Sequence, residues 1–149
     1  MKSKQISWEE IEGLLNHDQF ATAFCKQVVC IAETWDDLYD KDKEVNKNTI
    51  NDVFWMALVA LPSNPFYRKY FGQLNPLITN GIMAWLDANE CELCGDEGKE
   101  IAHDLRNHFL DVLNYTLYLV RGYDFARDHG YELRWFESDT KEDFVKEGE

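Results

Sequence analysis

Apolar residues that return every three or four positions can share one line only on an α-helix, and residues 20–38 keep that spacing without interruption: Phe20, Phe24, Val28, Ile31, Trp35 and Leu38. At 100° per residue they form one stripe; on a strand, where side chains alternate, they would divide between two faces. Nowhere does the chain alternate apolar and polar residues for more than three or four positions. The sequence therefore predicts a single all-α domain over residues 1–137, a helical bundle or irregular globule of about six or seven helices.

Local signals place the helices. Ser7 and Glu10 make an S-x-x-E capping box ahead of a short helix through Leu15, and Asp18 is placed to cap the long helix that runs to about Asp40. Asn48 is expected to cap a segment ending at Pro62, in which "VFWMALVAL" is apolar all round and so predicts a helix in the middle of the core. Asn64-Pro65 and Asn75-Pro76 each set a capping side chain before a proline suited to the first helical position, so both predict helix starts. "CGDEG" is expected to break the chain near 94–98, a long helix to follow over about 98–121, and Gly130 to end a short piece after it. Residues 138–149, acidic and poor in apolar groups, are expected to form a flexible tail.

An apolar fraction of 45% with 14% aromatic residues is ample for a 149-residue chain to build a core. The balance of 28 acidic against 15 basic residues, a formal charge of −13, repels phosphate backbones and anionic lipid; direct nucleic-acid binding is not expected, and a basic protein is a natural partner. No leader-like apolar region opens the chain and no apolar run approaches the roughly 20 residues of a membrane span, which predicts a soluble, cytoplasmic protein without a membrane partner. Cys25 and Cys30 fall inside the helical pattern as small apolar residues. Cys91-x-x-Cys94 has no second closely spaced pair, so zinc is not expected.

The stretch "AETWDDLYDKDK", residues 32–43, holds five carboxylates. Glu33, Asp36, Asp37 and Asp40 fall within an arc about 100° wide on the long helix. Like charges one turn apart repel, and the C-terminal end of the helix dipole opposes anions too, so two readings stand side by side. Either a divalent cation with oxygen ligands, most naturally Mg²⁺, sits among them, or the arc is a solvated face opposite the Phe20–Leu38 stripe.

Two families resemble this region. "VVCIAETWDDLYDKD" resembles the D-D-x-x-D motif of class I isoprenoid synthases, which implies that Asp36, Asp37 and Asp40 hold Mg²⁺ against a diphosphate. Glu9-x-x-Glu12 followed by Glu33-x-x-Asp36 resembles the paired acidic motifs of the all-α NTP pyrophosphohydrolases, the MazG and dimeric dUTPase group, which implies a Mg²⁺-dependent hydrolase of a nucleotide-like diphosphate. "WDDLYDKD" and "LPSNPFYRKYFGQLNPLI" are also similar to a group of small tailed-phage proteins, which would make the compartment a host cytoplasm. An EF-hand reading of Asp40, Asp42 and Glu44 fails, because Val45 stands where glycine is required and Asn51 where a bidentate glutamate is required.

"HDLRNHFLDVLNY", residues 103–115, sets Asp104, His108 and Asp111 on one helical face. Asp111 lies between Leu110 and Val112, so if buried it must be paired, for example with Arg106, Arg121 or a neighbouring helix. Should this face oppose the first arc, the two would form an acidic cleft. Glu33, Asp36, Asp37, Asp40 and Asp104 would hold Mg²⁺, while Asp37, His108 or Asp111 would act on the bound water and Lys26, Arg68 and Lys69 would hold the phosphate. The competing expectation is a protein without chemistry that binds or inhibits a basic host or phage protein. Its anchors would be aromatic, Tyr67, Tyr70 and Phe71 or Tyr131, Trp135 and Phe136. The apolar faces also fit a homodimer.

Overall fold

Side-chain caps start the first helices where the sequence places them. In the computed structural model, which describes residues 5–41 and 43–136, Ser7 Oγ accepts from Glu10 N at 3.1 Å and Ser7 N donates back to the Glu10 carboxylate at 3.3 Å, opening α1 (Trp8–Leu14). Asn16 and His17 then both take the left-handed conformation, φ 57°, and reverse the chain. Asp18 accepts from the backbone N–H groups of Phe20 and Ala21 and opens α2 (Gln19–Asp40), which stops on Lys41 in the left-handed region. The remaining helices are α3 (Lys47–Trp55), α4 (Leu61–Ser63), α5 (Pro65–Lys69), α6 (Phe71–Cys91), α7 (Gly95–Arg106), α8 (Phe109–Arg121) and α9 (Tyr123–Leu133). The described residues contain no strand, so the fold is all-α. The tail expected over 138–149 lies outside the described residues, as does Asp42.

Several expected boundaries shift. Asn46, not Asn48, caps α3, because its side-chain oxygen reaches Thr49 N at 2.8 Å. Between α3 and α4 the rod continues through a π-turn, Met56–Ala60. The cause is Pro62, which cannot donate to the Leu58 carbonyl and whose ring would crowd it; a wider turn just before it relieves both. Asn64 does start α5, and its amide also donates to Phe20 O at 3.0 Å, tying this corner to α2. Asn75 starts nothing: α6 runs through Pro76, and the Asn75 amide instead donates to the Tyr67 hydroxyl at 2.9 Å. The helix expected over 98–121 begins earlier, at Gly95, and is interrupted at Asn107 and His108. Gly130 lies inside α9 rather than ending a helix, and its bare backbone is needed where Asn114 of α8 approaches.

The core forms where α2 crosses α8. Phe24, Cys25 and Val29 of α2 meet Leu113 and Leu117 of α8, with Ile11, Leu15, Leu74 and Leu133 closing the ends. Phe24 stacks on Tyr67 at 5.2 Å between ring centres. The α6–α7 hairpin packs beside it, closed so tightly at Gly98 that a Cβ there would overlap the Cys91 carbonyl oxygen.

One expectation is overturned outright. The apolar run at 53–61 is not in the middle of the core: α3, the π-turn and α4 contribute no buried residue, and Phe54, Trp55 and Leu58 are 60%, 64% and 71% exposed. Apolar character identifies a segment that must be covered; it does not say which molecule covers it.

Cys25 is completely buried against Thr116, and desolvation of the thiolate pushes its thiol up to about 12 despite the Thr116 hydroxyl, which favours the anion. The folded chain thus keeps a proton that the unfolded chain gives up. This group's contribution to stability is full below about pH 9 and is lost as pH rises towards about 12. Urea denaturation at pH 8 and pH 10 is expected to show a smaller alkaline loss for Cys25→Ala than for the parent. A thiol reagent is expected to label the exposed Cys94 at once and Cys25 only on unfolding.

Candidate functional site

The acidic arc of α2 is split by the way the helix is buried. Ala21, Cys25 and Val29 widen the buried face beyond the Phe24 and Val28 line. Asp36 stands on the continuation of the Cys25–Val29 line, seven residues after Val29, and so turns inwards towards α6. There its carboxylate accepts from Trp85 Nε1 at 3.3 Å. Trp85 is held in turn between Trp35, at 4.5 Å between ring centres, and Tyr39, at 5.0 Å edge-on. Asp37 is half-buried, and Glu33 and Asp40 point outwards.

The structure does not bring the second acidic face up to the first. Asp104 is exposed on α7. Asp111 is paired with Arg134, beyond the end of α9, at 2.7 Å, with His108 Nδ1 3.6 Å away on its other oxygen. Asp111 is 40% exposed, so this is a surface ion pair and not the obligatory pairing of a buried carboxylate. Arg106 is taken by Glu92 at 2.6 Å, and Arg121 packs on Phe125. Lys26 lies over Trp8, 5.7 Å from the ring centre, and Arg68 and Lys69 are exposed at the end of α5, Lys69 over Tyr70. Among the described residues, no three metal-capable side chains converge.

Between α2 and α8, where an acidic cleft was expected, there is an apolar hollow of about 120 Å³, open on one side. Val28, Ile31 and Trp35 form one wall, Ile78, Ile82 and Trp85 another; Leu61 and Phe109 close it. Gly81, in the middle of α6, lies on its wall, and a Cβ there would meet nothing within 4 Å. Glycine inside a helix costs about 1 kcal/mol relative to alanine, so this stretch of α6 is less stable than its length requires.

The hollow opens onto the uncovered apolar surface. Leu61 reaches it from the rod that carries Phe54, Trp55 and Leu58, while Ile82 and Trp35, both on its walls, are 39% and 38% exposed. Next to them Met83 and Leu86 on α6 and Leu38 and Tyr39 on α2 are exposed as well. The same helices carry exposed acidic residues, Asp40 on α2, Asp52 on α3, and Asp87 and Glu90 on α6. Helix α6 has no basic residue. Sequence reasoning missed this surface because it placed residues 53–61 in the middle of the core. The signal was present in "VFWMALVAL", read as something to bury within the chain. Of the expected aromatic anchors, Tyr67 is buried in the core and Phe136 packs on Trp8 at 4.9 Å, while Phe71, Tyr131 and Trp135 are exposed.

No protein family model, characterised protein or solved structure matches the chain.

Proposed function

We propose that this chain is an interaction protein that docks a basic, amphipathic segment of another protein on the surface formed by residues 53–61 and the facing parts of α2 and α6. The observation that carries this reading is that the most apolar segment of the chain has no buried residue. Burying a side chain the size of leucine or phenylalanine stabilises by about 1.5–3 kcal/mol, so a surface with several of them uncovered gains affinity from any partner that fits it. Large aromatic residues in the middle of a patch with polar residues at its edge are the usual arrangement of a binding hot spot.

Charge selects the partner. Residues 36–52 contain six carboxylates against three lysines, and α6 adds only acids. With −13 on the whole chain, a basic segment is drawn in at long range and a second copy is repelled. Helix-in-groove docking suits the shape, with apolar residues on one face of the incoming helix and lysine or arginine on the other.

The test uses two synthetic amphipathic helices with the same leucine and tryptophan face, one with lysines and one with glutamates on the polar face. The lysine peptide is expected to bind with an affinity that falls as salt rises, and Leu58→Asp to weaken it by at least about tenfold, the effect of roughly 1.4 kcal/mol, while the fold is kept. Equal binding of both peptides, or self-association of the chain that excludes them, contradicts the proposal.

A second reading is the Mg²⁺-dependent hydrolysis of a diphosphate compound. It is favoured by the four carboxylates of Glu33, Asp36, Asp37 and Asp40 on the last two turns of α2, two of them half-withdrawn from solvent. Here Mg²⁺ would be held by α2, and the substrate phosphates would be neutralised by the metal. Millimolar Mg²⁺ would then raise the melting temperature by preferential binding to the folded chain, and Asp37→Asn would remove the effect. The docking proposal expects the same small shift from Mg²⁺ in both proteins.

A further inference from the structure

The turn between α6 and α7 carries the C-x-x-C of the sequence, which the docking surface does not use. The geometry points to a modification site there: Cys91 and Cys94 form a dithiol pair that becomes an intrachain disulfide by exchange with a small disulfide. Both thiols are free and within reach of solvent, Cys94 exposed and Cys91 half-buried, whereas Cys25 is buried. Cys94 N donates to Cys91 O at 2.9 Å. A turn closed in this way holds its end Cα atoms within about 7 Å, which is the reach of a disulfide. Gly98 fixes the pair from the α7 side. A Cβ there would overlap the Cys91 carbonyl oxygen and lie 2.9 Å from Cys94 Cβ, so one missing side chain lets α7 close on both residues at once. The Cys94 thiol contacts the Glu90 carbonyl oxygen at 3.7 Å, a weak interaction that rotation about χ1 gives up.

The exchange runs in two steps. Cys94, the more exposed, loses its proton, and its thiolate attacks one sulfur of the small disulfide. That sulfur–sulfur bond breaks, one small thiolate leaves and takes up a proton, and a mixed disulfide stands on Cys94. Cys91, deprotonated in turn, attacks the Cys94 sulfur and expels the second small thiolate, which is protonated as well. The two protein thiols have then lost two electrons and two protons, and the small disulfide has gained both as two thiols. Charge selects the reagent. Glu90, Glu92, Asp96 and Glu97 flank the pair and are exposed, so a neutral disulfide meets less repulsion than an anionic one such as oxidised glutathione.

This site is separate from protein docking, and its test leaves residues 53–61 unchanged. The full chain is treated with neutral 2-hydroxyethyl disulfide in the presence of about 0.1 mM of the corresponding thiol, well below the millimolar effective concentration that a nearby tethered thiol presents. Intact mass and peptide mapping read the product. The expected product is the chain less two hydrogens, with Cys91 joined to Cys94 and Cys25 unmodified. Cys91→Ser is expected to hold the hydroxyethyl adduct on Cys94 at a level at least about tenfold above that of the parent, because no neighbouring thiol expels it. A parent that keeps the adduct on Cys94, that joins Cys94 to Cys30 or to a second chain, or that does not react would overturn the assignment. So would ring closure no more favourable in the folded chain than in denaturing urea, since the turn would then add nothing to the spacing of the two cysteines in sequence. The parent product decides the matter even where the variant fails to fold.

Discussion

The packing of α2 across α8 is the contact on which the rest of the structure depends. At this seam Phe24, Cys25 and Val29 are buried in one cluster with Leu113 and Leu117, to which Ile11 of α1, Phe66 and Tyr67 of α5, Leu74 of α6 and Leu133 of α9 are added. The Asn64 amide hangs the α5 corner on the Phe20 carbonyl, and Tyr67 stacks on Phe24 to fix it. Because the seam lies in the N-terminal half of α2, the C-terminal half extends past it. That overhang presents Trp35 and Tyr39 to Trp85, and the hollow forms beneath it.

The same geometry explains why charge and apolar surface meet in one place. A helix whose buried face widens from the Phe24–Val28 line to include Cys25 and Val29 carries Asp36 inwards, where an indole N–H satisfies it. Its neighbours Asp37 and Asp40 stay beside the uncovered aromatic residues. Acidic residues next to apolar groups that water does not solvate well make a recognition surface with both a long-range and a short-range component. The π-turn before Pro62 belongs to this arrangement too, since it lets one continuous rod carry Leu58 outwards and Leu61 into the hollow.

What the sequence reveals is local chemistry, and what it hides is tertiary. Ser7, Asp18 and Asn64 cap helices through their own neighbours' N–H groups, so their roles follow from a few residues of sequence. Asn75-Pro76 has the same local form, yet the amide is claimed by Tyr67, eight residues earlier and reached only through the fold. Asp111 between Leu110 and Val112 suggests a buried carboxylate, yet its side chain is 40% exposed, and its pairing with Arg134, just past the end of α9, depends on the turn at Gly122 that folds α9 back. The acidic arc was legible as a cluster; its division was not, because Cys25 and Val29 had to be known as buried first. Residues 53–61 were legible as apolar, while their exposure follows from tertiary placement: among the described residues no helix covers Phe54, Trp55 and Leu58.

The central claim is that this apolar rod stays uncovered in the isolated chain and awaits a different molecule. Hydroxyl-radical footprinting at low protein concentration tests it residue by residue. Oxidation of Phe54, Trp55 and Leu58 at rates close to those of an unfolded peptide, beside strong protection of Phe24 and Leu113, is the result expected from their exposure. Protection of Trp55 and Leu58 as complete as that of Phe24 would contradict it, because the chain or a second copy of it would then already cover the surface.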